Sequence, residues 1–174
     1  MSTDNTTIPG TLAMLVGTRL KARGMMIATA ESCTGGWVGQ ELTAIAGSSE
    51  YYDRGFITYS NISKQELLRV PADTLRDFGA VSEETARAMA AGTLANSRAQ
   101  VSLSITGVAG PGGGSGKNPV GTVCFGWAAK DAASAVTTRS VRMHFDGDRE
   151  AVRRQSVIFA LQGVVELLDR LDKA

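Results

Sequence analysis

The chain has 174 residues and a mass of 18.2 kDa, with 43% hydrophobic, 20% charged and 6% aromatic residues. Its formal net charge of +1 carries neither the basic excess of a nucleic-acid binder nor the acidic excess of a disordered tail. The single histidine, His144, excludes a zinc hydrolase built on two or three imidazoles. Two cysteines, Cys33 and Cys124, are too few for a disulfide framework or a structural zinc.

That length suits one domain with a real core. No apolar run approaches the ~20 residues needed to cross a bilayer. The polar stretch Met1 to Thr7 lacks the cationic start and apolar segment of a secretory signal. The expectation is a single cytoplasmic domain over 1–174, with 1–10 as a flexible tail and no membrane or nucleic-acid partner.

In chain order, Leu12, Leu15, Val16 and Leu20 share one helical face, which Gly24 ends. Met25 to Ala30 has the length of a buried strand. Val38, Leu42 and Ile45 mark a helix that opens near Gly35 and stops at Gly47. Gly55 to Ser60 reads as a second strand, followed by a helix from Ile62 to Leu68 that ends before Pro71. Ser82 caps the next helix, with Glu83 and Glu84 opposing the dipole of its first turn. Ala86, Met89 or Ala90, and Thr93 or Leu94 form its inner face.

Val101 to Ile105 is a third strand, leading into Thr106 to Gly116, where six of eleven residues are glycine. Gly121 to Ala129 and Ala135 to Phe145 pair around a turn at Lys130 and Asp131. In the second of these, Val141, Met143 and Phe145 alternate with Arg142 and His144. Asp148 caps a long final helix with an apolar stripe at Val157, Leu161, Val164, Leu168 and Leu171. The order predicts a three-layer α/β/α domain around a mixed β-sheet.

In such sheets, sites gather where strands end and helix N–H groups lie open. The first junction is Thr29 to Gly36. Ser32 follows a buried strand, and the N–H groups of Thr34, Gly35 and Gly36 can face an oxygen that becomes negative beside it. The plainer alternative is a helix N-cap with glycines for packing. The second junction is Thr58 to Lys64. A serine without histidine needs another base, and a desolvated lysine can serve. If the second strand lies parallel to the first, Lys64 approaches Ser32. Tyr59 offers a proton relay or a stacking ring, and Asn61 can orient either partner. The alternative for Lys64 is a solvated place on a helix face.

The third segment, Thr106 to Lys117, fails as a Walker A loop because Pro111 and Asn118 stand where Gly and Ser or Thr are required. Thr106, Gly107, Ala109 and Gly110, directly at a strand end, remain candidates to approach a phosphate. Arg149 sits in the first turn of the last helix, where the dipole disfavours a cation. An anionic ligand explains it, as does a surface pair with Asp146 or Glu150. Cys33 at a helix start, with His144, offers a second nucleophile–base pair.

Six stretches in order, Thr29–Gly36, Gly55–Lys64, Gly79–Ser82, Thr106–Pro111, Pro119–Val123 and Gly147–Arg149, together resemble the CinA C-terminal-like family, over about Leu12 to Leu168. The resemblance implies an α/β domain that hydrolyses nicotinamide mononucleotide to nicotinate mononucleotide and ammonia in pyridine nucleotide recycling. It implies no metal and no cofactor, an acyl-enzyme on Ser32, Lys64 as general base, and a bacterial homodimer. Tyr59, Asn61, Thr106 and Arg149 match positions that shape the family's pocket. The alternative is a non-catalytic nucleotide-binding or competence-associated interaction module. Two departures stand out: Arg69 where glycine is common, and Asn118 where lysine is frequent.

Overall fold

Side chains alternate along the first strand, and that alternation builds the layers. In the computed structural model, which describes residues 8–174, β1 (Ile27–Glu31) sends Ile27 into one apolar cluster and Ala28 and Ala30 into clusters on the opposite face. The Ile27 face is covered by α1 (Ile8–Ala22), α2 (Trp37–Thr43) and α6 (Arg149–Leu171). The Ala28 face is covered by α3 (Asn61–Leu68), α4 (Ala72–Phe78) and α5 (Glu83–Ala95). Serine makes the α5 contact close: Ser102 and Ser104 on β3 (Val101–Gly107) donate to the carbonyls of Ala90 and Ala86.

The five-stranded sheet has the order β2-β1-β3-β4-β5, with β2 at Tyr52–Ile57, β4 at Thr122–Lys130 and β5 at Val136–His144. β2 and β3 both pair parallel with β1, while β3–β4 and β4–β5 are antiparallel. The fold is therefore the three-layer α/β/α arrangement with a mixed sheet. From β1 the chain moves outward to β2, then crosses back over β1 to reach β3. The C-terminal end of β1 is thus a topological switch point, where loops part and leave a crevice.

Several boundaries differ from expectation. β1 runs two residues later than Met25, and β2 begins at Tyr52, because its Gly55-containing edge is half exposed and lacks an apolar pattern. Leu15 is exposed; Ala13, Val16 and Leu20 of α1 are buried in the core and Leu12 packs against it. Helix α3 ends at Leu68, before Pro71 as expected, but Pro71 then caps a further helix, α4, from Ala72, which the sequence pattern does not announce. Of the tail expected at 1–10, residues 1–7 lie outside the described residues, while Pro9 and Gly10 belong to α1. The caps at Ser82 and Asp148 are as read: their side chains accept from the N–H groups of Thr85 and Ala151. Val157, Leu161, Val164 and Leu168 of α6 are buried, and Leu171 packs at the margin. Val141, Met143 and Phe145 of the β5 region pack on the same core.

Candidate active site

Ser32 is the first residue beyond β1, and its N–H still donates to Ile105 of β3 at 3.0 Å. It is therefore anchored to the sheet while its hydroxyl enters the crevice. The loop then turns on Gly35 and Gly36, with φ of 61° and 107°. Both angles lie in the left-handed region that side chains resist. Gly36 is the N-cap of α2 and offers no side-chain cap. Ser32 is not a helix cap.

The open end of α2 is satisfied by Glu31. Its carboxylate, 2% exposed, accepts from Thr34 Oγ1 at 2.7 Å, the Val38 N–H at 2.9 Å and the Gly39 N–H at 3.1 Å. On the other side of the loop, Arg153 donates from Nε to the Cys33 carbonyl at 3.0 Å and from Nη2 to the Thr34 carbonyl at 3.2 Å. Its guanidinium lies over the Trp37 ring, 5.4 Å from the centroid. Sequence reasoning gave neither residue a role. A carboxylate at the end of an apolar strand, and an arginine one helical turn after Arg149, were the available signals.

Lys64 is the base candidate that the fold brings in. Its helix, α3, opens on Ser60, whose hydroxyl accepts from the Ser63 N–H at 3.1 Å. Lys64 is 1% exposed, and its Nζ donates to the Thr58 carbonyl at 2.7 Å and to Ser32 Oγ at 3.2 Å. Burial pulls its pKa below the ordinary ammonium range. The solvated-face alternative is overturned.

Tyr59 is 63% exposed, and its hydroxyl accepts from Arg149 Nη2 at 3.1 Å. Arg149 Nη1 donates to the Gly110 carbonyl at 2.7 Å. Arg149 thus bridges the second and third junctions, and the surface pair with Asp146 or Glu150 is not formed. Beside it lies a cavity of about 480 Å³ lined by Ala109, Pro111, Val120, Gly147, Asp148, Arg149 and Glu150. Ala109 and Gly110 are buried at this wall, and Gly107 is the last residue of β3. Thr106 is 1% exposed and its hydroxyl donates to the Ala80 carbonyl at 2.8 Å, so its proton is committed to the fold. Asn61 stands exposed at the first position of α3.

Two expectations change. The Gly35 N–H turns back to the Ser32 carbonyl at 3.0 Å and is not free for an oxyanion. Among the described residues, the Cys33, Thr34 and Gly36 N–H groups donate to no other residue. The Cys33–His144 pair also fails. β1 and β5 are three strand spacings apart, about 14 Å, and His144 lies 3.4 Å from Asp146 instead. Burial pushes the Cys33 thiol up to about 11. Among the described residues, no three His, Cys, Asp or Glu side chains gather where they could hold a metal ion. No helix among them is long and apolar enough to cross a membrane.

The CinA C-terminal domain family matches residues 10–168. The chain belongs to the CinA C-terminal domain family. The nicotinamide-nucleotide amidohydrolase PncC of Enterobacter agglomerans is 50% identical over 151 residues, covering 87% of this chain and 90% of that protein. The protein of the same name from Escherichia coli K12 is also 50% identical, covering 87% and 89%. The crystal structure of the competence/damage inducible protein CihA from Agrobacterium tumefaciens superposes with a TM-score of 0.85 at 42% identity, covering 92% of this chain and 95% of that one. The CinA fold therefore extends across nearly all of the described chain, including every segment that carries a site residue.

Proposed function

We propose that this chain is a nicotinamide-nucleotide amidohydrolase: it hydrolyses the carboxamide of nicotinamide mononucleotide to give nicotinate mononucleotide and ammonia. The observation that carries this reading is the buried Lys64 Nζ, 3.2 Å from Ser32 Oγ, with no carboxylate bonded to it among the described residues. The names of the relatives at 50% identity supply the substrate. Cytoplasmic location and pairing of two copies complete the reading, and sedimentation of the purified protein tests the second.

A desolvated lysine sheds its proton more readily than a solvated one. Neutral Lys64 takes the Ser32 proton as Oγ attacks the carboxamide carbon. That carbon is electron-poor because the ring is a pyridinium. The same cation, once bound, lowers the Lys64 pKa further. The tetrahedral oxyanion is held by the N–H groups of Cys33, Thr34 and Gly36, those of the loop left free among the described residues. Lys64 returns its proton to the departing nitrogen, ammonia leaves, and the acyl group remains on Ser32 Oγ. Water then attacks the ester, Lys64 takes its proton, and nicotinate mononucleotide leaves as Ser32 is reprotonated. Tyr59 closes the proton path toward solvent. Arg149, with the 107–110 backbone, faces the phosphate.

Ammonia release from nicotinamide mononucleotide, measured in the presence of a chelator, tests the proposal. The wild type releases ammonia and Ser32→Ala loses several orders of magnitude in rate while still binding substrate. A folded wild-type protein that is stabilised by the nucleotide but releases no ammonia is instead a binding module.

A further inference from the structure

Four of the five carbonyls from Ser32 to Gly36 have a donor among the described residues. The Ser32 carbonyl accepts from Gly35, the Thr34 carbonyl from Trp37, and the Gly36 carbonyl from Gln40. The Cys33 carbonyl has no backbone donor among the described residues; Arg153 Nε supplies it, and Arg153 Nη2 adds a second bond at Thr34. Arg153 forms no ion pair with a carboxylate among the described residues, so its charge is directed at these two peptides and the Trp37 face.

A trans peptide is planar, with its N–H pointing opposite to its carbonyl. Fixing the Cys33 carbonyl toward Arg153 therefore fixes the Thr34 N–H in the other direction. A cation on the carbonyl also polarises the peptide and strengthens its N–H as a donor. Glu31 secures the same loop through the Thr34 hydroxyl and the first N–H groups of α2. Among the described residues Arg153 is the only donor to the Cys33 carbonyl, so without it that bond no longer opposes a rotation of the Cys33–Thr34 peptide that would turn the carbonyl oxygen toward the reacting centre.

We infer that Arg153 is a positioning residue that holds the Cys33–Thr34 peptide so that the Thr34 N–H is kept as an oxyanion donor. The inference rests on the reading of Ser32 as nucleophile. It is distinct from a phosphate contact, which would use the guanidinium as a ligand and leave the peptide alone. Lysine is a poor substitute, because one ammonium on a flexible stem cannot serve two carbonyls and lie flat on an indole.

The test compares wild type, Arg153→Met and Arg153→Ala on nicotinamide mononucleotide and nicotinamide riboside. Arg153→Met keeps an apolar stem against Trp37. The expected result is a kcat loss of about 10- to 100-fold on both substrates with KM within about twofold, since a single oxyanion donor is worth ~10²–10³ in kcat. Millimolar methylguanidinium should restore part of the Arg153→Ala rate. Wild-type kcat in the variants, a loss confined to KM for the phosphorylated substrate, or a kcat loss that only follows a falling thermal midpoint overturns the inference. The rate of Ser32 labelling by a fluorophosphonate separates the two readings, because it requires the nucleophile and the oxyanion donors but no nucleotide. Labelling of a wild type that releases no ammonia defeats the substrate assignment. The labelling ratio of Arg153→Met to wild type then still decides the role of Arg153: a ratio near one overturns it, and a tenfold fall supports it.

Discussion

Lys64 Nζ lies 3.2 Å from Ser32 Oγ although the residues are 32 positions apart. Parallel pairing brings them together. Glu31 of β1 is in register with Ile57 of β2, so the segments that follow leave the sheet at the same level. Ser32 is one residue past the first strand, and Lys64 lies one turn into the helix after the second.

The lowered Lys64 pKa sets the direction of the pH response. The rate should rise with pH as Lys64 loses its proton, with the ascending limb below 10.5, the ordinary lysine value. Stability follows the same sign. Between the folded and unfolded pKa values the unfolded chain binds more protons, so the unfolding free energy climbs with pH through that window. Rate profiles of the wild type, and urea unfolding of wild type and Lys64→Met across pH, check both. Lys64→Met should lack activity and show a flatter climb. An ascending limb at or above 10.5 would remove desolvated Lys64 as the base.

Cys33 should be chemically silent. Burial holds its thiol up to about 11, so little thiolate exists near neutrality. Iodoacetamide at pH 7.5 should leave ammonia release intact, and Cys33→Ala should keep kcat within about threefold. Loss of activity on alkylation, matched by loss in Cys33→Ala, would return the nucleophile's role to the thiol.

Arg149 links Tyr59 to Gly110 and borders the 480 Å³ cavity. As a phosphate ligand it contributes charge-assisted hydrogen bonds of about 1.5–3 kcal/mol. Arg149→Ala should therefore raise KM for nicotinamide mononucleotide by about tenfold or more and change that for nicotinamide riboside far less. Steady-state kinetics on the two substrates measure this, and equal losses would assign Arg149 to holding Tyr59 alone.

Arg69 closes α3 in the left-handed conformation, with φ of 57° and its side chain exposed. An L side chain pays roughly 1 kcal/mol for that conformation, and glycine does not. Arg69→Gly should raise the thermal midpoint by about 2–4 °C with unchanged activity. Differential scanning calorimetry reads the shift, and a lower midpoint would show that Arg69 contributes more through its side chain than its backbone costs.

Elements with a repeating apolar pattern or a capping residue were legible in the chain. The Ser82 and Asp148 helices, the alternating strand at Val141 to Phe145 and the three-layer class belong to this group. β2 was misplaced because it is an edge strand, with side chains too exposed to leave an apolar period. α4 was missed because a proline reads as a stop even where it begins a helix. Glu31 and Arg153 went unassigned because their partners are backbone groups, which carry no residue identity in a sequence.

By itself, the sequence determined the order of strands and helices, the residue types available for chemistry, and the places where strands run out into glycine or a helix start. These are local properties, set by spacing, capping and turn preference. Only the tertiary structure decided that β2 lies parallel beside β1, that Lys64 is therefore buried against Ser32, and that Gly35 spends its N–H inside the loop. Those outcomes depend on strand register and on which groups lose contact with water, and both are fixed by packing between segments far apart in the chain.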